Sequence, residues 1–293
     1  MQLTRRTITK KLSIYSFILP GTLLIAAMVL YPLLYAFYMS FTTKEGMDTF
    51  FSLSNYSRVI GATHFFEMLK NTILWVISTV ILSFLLGFGV AALIEQDFVK
   101  RKNIWRSIIL LAWITPGVVK AEAWKWLYSY DFGMLNHTLV SLKIIKEPVS
   151  WLITPDSAFL AVVLIQVWGM FPYVMLMISA GMQSINKEYH DCALLDGASW
   201  FRYIRSIVVP IISDVVFIAL LIITIWSINT FVVIWLVTQG GPLGSTTVLS
   251  LDIYQKFLMF DLRGASATAI LQLIISLSIT ILYVQRSRRE EAA

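Results

Sequence analysis

Over 293 residues the chain is 58% hydrophobic and only 14% charged, with a mean hydropathy of +0.75. A soluble domain of this length needs far more charge to cover its surface, so an ordinary water-soluble enzyme is excluded. The net charge of +6 needs no nucleic acid once the placement of the basic residues is read, because membrane topology and anionic lipid account for it.

Six apolar stretches are long enough to cross a bilayer, which takes roughly 20 helical residues each: about 14–40, 71–94, 105–128, 157–184, 211–238 and 263–285. Their all-round apolarity favours helices over barrel strands, which alternate every second residue. The sequence therefore predicts an all-α polytopic membrane protein with about six transmembrane helices. Residues 1–13 form a cytoplasmic N-terminal segment, 14–286 a single transmembrane domain with an inner loop at 185–210, and 287–293 a cytoplasmic tail.

The first stretch follows Arg5, Arg6, Lys10 and Lys11 and so has the start of a signal peptide. Residues 12–41 exceed a signal core, however, and no small-x-small site closes them. A retained helix is expected, bent at Pro20 and Pro32. With the N-terminus inside, the next inner loop holds Lys100, Arg101, Lys102 and Arg106. The third inner segment holds Lys187, Arg202 and Arg205, and the tail Arg286, Arg288 and Arg289. The outer loops hold Lys44, Arg58, Lys70, Lys143, Lys146, Lys256 and Arg263, half as many, which places both termini in the cytoplasm. Lys120 and Lys125 fall inside the third span.

Resident chemistry is sparse. His64, His137 and His190 are too widely spaced for a metal site, and the lone Cys192 excludes an internal disulfide. Gly240, Gly241, Pro242 and Gly244 lack the order of a phosphate loop, and no nucleophile elbow or intramembrane carboxylate dyad is present. Glu122 and Asp214 are the only acids inside the predicted spans, too few for a proton relay. Any work on a solute is expected to be driven by a partner.

The inner loop carries the most specific pattern. Residues 187–195 are predicted to form a short helix, Gly197 to reverse the chain, and Ser199 to cap a second helix running into Pro210. Two short helices at an angle make a knob that fits a groove on another protein. An amphipathic interfacial connector anchored by Trp200, Phe201 and Tyr203 is the alternative. Asp191, Cys192, Ala193 and Gly197, followed after nine residues by Ile207, Val209 and Pro210, resemble the E-A-A-x-x-x-G … I-x-L-P coupling motif of bacterial ABC importer permeases. Here Asp stands for Glu, Cys for Ala and Val for Leu.

The resemblance extends along most of the chain. Leu19-Pro20, Leu30-Tyr31-Pro32, Ser40-Phe41, Leu53-Ser54-Asn55-Tyr56 and Asn71-Thr72 look like the start of sugar-type permeases. So do Pro116, Ala123-Trp124-Lys125-Trp126, Gly133-Met134-Leu135-Asn136, Thr238-Gln239-Gly240-Gly241-Pro242, Thr246-Thr247 and Ile253-Tyr254. The chain is similar to the first permease of maltose-type systems, without that protein's large periplasmic insertion, since the first outer loop is only about 42–70.

This resemblance implies a type I ABC importer permease fold in a bacterial cytoplasmic membrane. It also implies a second homologous permease, two ATPase subunits holding ATP and magnesium, an extracytoplasmic solute-binding protein and a carbohydrate substrate. No cofactor on this chain is implied. Glu188, Asp191, Cys192, Ala193, Asp196, Gly197, Ile207 and Pro210 would contact the ATPase. By the same resemblance Trp113 and Gly117, then Gln166, Gly169, Met170 and Tyr173, then Trp226, Ser227 and Thr230 line the substrate path. Each set has helical spacing, although helix packing explains such residues equally. Lys120, one turn beyond Gly117, would attract an acidic saccharide such as a uronate oligomer, or pair with Glu122 or another subunit, or snorkel outward. Another solute such as glycerol phosphate, a gradient-driven carrier, and a structural membrane subunit are the competing readings.

Overall fold

The computed structural model describes the backbone of residues 2–43 and 51–291 and the side chains of 18–43 and 51–285. Lys44 lies outside the described residues, and Arg5, Arg6, Lys10, Lys11, Arg286, Arg288 and Arg289 lie outside the described side chains. Every regular element among the described residues is helical. In lipid a helix satisfies its own backbone groups, which is why long apolar runs take this form.

The helices are α1 (Gln2–Ser40), α2 (Ser54–Ile60), α3 (Phe65–Ile94), α4 (Lys102–Ile114), α5 (Gly117–Leu127), α6 (Met134–Ser141) and α7 (Pro155–Gln183). The inner-loop helices α8 (Lys187–Leu195) and α9 (Trp200–Tyr203) follow, then a π-helical turn (Ile204–Val208) and α10 (Val209–Ile211). The remainder is α11 (Ser213–Asn229), α12 (Val232–Val237), α13 (Leu249–Leu258) and α14 (Leu262–Glu291). Ile18–Ser40, α3, α7 and Leu262–Gln285 are each long and apolar enough to cross a membrane. Two bent pairs raise the number to six if each is one span, the expected total.

Three expected spans differ in detail. α1 runs unbroken through Pro20 and Pro32. The stretch 105–128 is two helices meeting at 94°, because Thr115 is extended before Pro116, where proline disfavours helix and removes a donor. Trp113 and Gly117 therefore do not share a helical face. The stretch 211–238 divides as well: α11 bends by 78° from the segment 200–211 and ends at Asn229. Thr230 turns extended before α12. The freed carbonyls there are satisfied, with Trp75 Nε1 donating to Ser227 O at 3.0 Å and Ser250 Oγ to Thr230 O at 2.9 Å.

The chain divides into two compact units, residues 1–62 with 255–271 and residues 63–254 with 272–293. In the first, Asn55 Nδ2 donates to Ser40 O at 3.0 Å and Thr42 O at 2.8 Å, and Tyr56 Oη to Ser40 Oγ at 2.8 Å. Arg58 pairs with Asp261 at 2.9 Å.

In the second unit α7 is the central and most buried span. Thr154 caps it by accepting from Ser157 N, Pro155 opens it, and Asp156 faces its positive end. One core cluster joins Trp75, Tyr128, Ile165, Ile234 and Leu251. A second joins Val174, Met175 and Ile178 of α7 to Ile204, Val208, Ile212 and Ile223. Between α5 and α7, Asn136 is buried and donates to Val149 O at 2.9 Å while accepting from Trp151 Nε1 at 2.9 Å. Thr72 accepts from Leu249 N, and Asn71 donates to Gly244 O.

Candidate functional site

The inner loop builds the knob its sequence predicts. Asn186 Oδ1 accepts from Glu188 N at 3.2 Å and starts α8. At its end Gly197 N donates to Leu194 O at 3.0 Å and Ala198 N to Ala193 O at 2.9 Å, closing the reversal. Gly197 sits at φ +66, in the left-handed region that costs a residue with a β-carbon about 1–2 kcal/mol. Ser199 Oγ then accepts from Arg202 N and opens α9. His190 and Tyr203 meet edge to face at 5.0 Å, tying the two helices together.

Burial divides the motif residues. Ala193 is buried, at 5% exposure, between the helices. Ile207 is half-buried, and Glu188, Asp191, Cys192, Asp196, Gly197 and Pro210 are exposed. Around them Tyr189, Leu194, Leu195, Trp200 and Phe201 also stand in the open, Leu195 at 88% exposure. These side chains leave large apolar groups exposed on an otherwise polar loop. Ile204 and Val208, in contrast, face inward and join the cluster with Val174, Met175, Ile178 and Ile223. The knob is thus packed onto α7 and α11. Asn186 and the anchoring pair Ile204 and Val208 were not singled out from sequence; an Asn before a charged helix start was the available signal for the first.

A second group lies further along α7. Trp113 of α4, Tyr173 of α7 and Trp226 of α11 form one aromatic cluster. Ring centroids are 5.8 Å apart for Trp113–Tyr173, 6.2 Å for Trp113–Trp226 and 4.7 Å for Tyr173–Trp226. Trp113 and Trp226 each keep more than a third of their surface exposed, so the cluster is not sealed into the core. Gln166 Nε2 donates to Thr230 Oγ1 at 3.3 Å and to Met170 Sδ at 3.1 Å. Ser227 is fully buried, accepting from Thr79 Oγ1 at 2.9 Å, so Ser227 and Met170 act in packing beneath the rings. Gly117 faces Val232 across α12, apart from the cluster. Lys120 reaches back to α7 and rests on Gly169. Among the described residues no group of three His, Cys, Asp or Glu side chains is placed to hold a metal.

A family described as binding-protein-dependent transport system inner membrane component matches residues 97–290. The trehalose/maltose transport system permease protein MalF of Thermococcus litoralis is 34% identical over 277 residues, covering 94% of this chain and 93% of that protein. Two solved structures share the fold. One is a bacterial ABC transporter involved in import of the acidic polysaccharide alginate, with TM-score 0.84, 21% identity and 99% of each chain covered. The other is a bacterial alginate ABC transporter in complex with an alginate pentasaccharide-bound periplasmic protein. It has TM-score 0.83 and 22% identity, and the match covers 97% of this chain and 96% of that one.

Proposed function

Because the chain belongs to the family of inner membrane components of binding-protein-dependent transport systems, we propose that it is the permease of an ATP-driven saccharide importer, coupled to a separate ATPase through residues 185–210. The carrying observation is the knob itself, a capped pair of helices with an exposed apolar rim and an inward face rooted in the core. The saccharide assignment draws support from the trehalose/maltose relative and from the open aromatic cluster. Aromatic rings stack on the apolar faces of sugar rings, while Gln166 and Thr230 offer hydroxyl partners.

The working cycle follows from the packing. Closure of the ATPases displaces the knob as a rigid body. Ile204, Val208 and Ile212 carry that displacement to Met175 and Ile178 of α7 and to Ile223 of α11. Those helices also hold Tyr173 and Trp226, so their movement separates or closes the aromatic cluster. A second permease completes the path, and an extracytoplasmic binding protein delivers the solute. The basic-residue bias places both termini and the knob in the cytoplasm. The membrane-embedded chain performs no hydrolysis of its own.

Affinity purification of the tagged chain from its native membrane tests this reading. An ABC-type ATPase is expected to co-purify in stoichiometric amount. Recovery of the folded chain without any ATPase would contradict it and favour a gradient-driven carrier.

A further inference from the structure

Lys120 stands where an ammonium is expensive. It belongs to a membrane-spanning pair of helices, is half-buried, and forms none of the ion pairs among the described side chains. Glu122, two residues away, is exposed and does not reach it. A charge kept in this setting without a protein partner points to a ligand that supplies one.

The bend at Pro116 sets the geometry. It turns α5 by 94° from α4, and Lys120, in the first turn of α5, lays its side chain across α7 at Gly169. A β-carbon at Gly169 would collide with the Nζ and lie 2.9 Å from Cε. The absent side chain is therefore what leaves room for the ammonium. Along the same face of α7, Gln166 lies three residues before Gly169 and Tyr173 four residues after, each about one turn away. Gly169, on which Lys120 rests, thus lies between Gln166 and Tyr173 along α7, and Tyr173 belongs to the cluster with Trp113 and Trp226. A sugar ring stacked on the rings would present a substituent toward Lys120, whose three donors suit an oxyanion.

We propose that Lys120 seated over Gly169 forms an anion subsite in the translocation path, selecting saccharides that carry a carboxylate or comparable acidic group. This rests on the saccharide-permease reading above. The test uses the complete transporter with its binding protein, reconstituted in proteoliposomes, and compares ATP-driven uptake of a uronate trisaccharide with a neutral trisaccharide of the same linkage. The readout is the ratio of the two uptakes, with the binding protein held constant.

Wild type is expected to favour the uronate. Lys120→Gln should lower the ratio by about tenfold or more, the worth of a hydrogen-bonded charge. Lys120→Arg should retain the preference, and Gly169→Ala should lower it by displacing the lysine without touching its charge. An unchanged ratio in Lys120→Gln, including equal loss of both uptakes, overturns the anion subsite and assigns Lys120 to packing or to the second permease. A wild-type complex that carries only the neutral sugar also overturns it, while leaving the permease reading standing. A chain that assembles with no ATPase fails the permease reading itself, and the subsite with it.

Discussion

Asp261 shows how single groups hold the ends of the helices. Its carboxylate accepts from Gly264 N at 3.0 Å, capping α14, and receives Arg58 at 2.9 Å. Burial pushes its pKa up. The Arg58 hydrogen bond, the Gly264 N–H and the charges of Arg58 and Lys256 outweigh that, leaving it below the ordinary carboxylate range. A depressed folded-state pKa contributes stability above the unfolded value and loses it as pH falls through the folded one. Asp261→Asn keeps the cap acceptor and removes the charge. It should cost at most about 1 kcal/mol at neutral pH, since the pair is largely solvated. The gap in melting temperature between variant and wild type should narrow once pH drops below about 4. A gap that does not change with pH would contradict a contribution from the Asp261 charge.

At this scale the sequence grouped residues that the packing brings together only in part. Trp113, Tyr173 and Trp226 converge, Gly117 stands apart against Val232, and the contact of Lys120 with Gly169 has no signal in the spacing. Several residues quoted in the family resemblance proved to be pins for loops: Asn55, Asn71, Thr72 and Asn136 each bridge backbone groups distant in sequence. What spacing did not separate was rings left exposed from groups buried beneath them. Ser227 and Trp226 are neighbours, yet one is fully buried and the other open. Composition is the same in both roles; only the packing of α3 against α11 distinguishes them.

Among the elements, the knob was the most legible, because caps and a reversal are local chemistry. Gly197 and Ser199 set the reversal and the second helix start within a residue or two. The space around a β-carbon at Gly197 is empty, so substitution there is opposed by the backbone alone. Gly197→Ala should therefore loosen the reversal by about 1 kcal/mol, and Gly197→Val by more, through its branched side chain. Faster hydrogen exchange across residues 186–198, rising from wild type through Ala to Val, is the expected measurement. Unchanged protection in the valine variant would contradict the account. The bends were less legible. Hydrophobic length counts residues and is blind to direction, so 105–128 and 211–238 read as straight spans. Pro116 carried the signal in one case. In the other, the break at Thr230 depends on Trp75 and Ser250, both remote in sequence.

For the molecule as a whole, the exposed apolar surface defines its setting. The span Ile18–Ser40 has none of its 18-residue window buried, with Leu23, Leu24, Ile25 and Met28 all open. Such a face requires lipid or a partner helix. For the knob the proposed neighbour is a different one, a soluble ATPase covering the exposed Leu194, Leu195 and Phe201 and reading Asp191 and Asp196. Asp191 keeps the charge of the family's glutamate on a shorter arm, so a displaced contact with the ATPase is expected, not a lost one. Cys192, the chain's one cysteine and exposed on the knob, gives the most direct measurement. In membranes holding the assembled complex, a cysteine placed in the surface groove of a cysteine-free ATPase should form a disulfide with Cys192 under mild oxidation. The yield should change when ATP is bound and fall to background in Cys192→Ser. Failure of Cys192 to crosslink at any position scanned around that groove, in a complex that still imports its solute, would contradict docking through this loop.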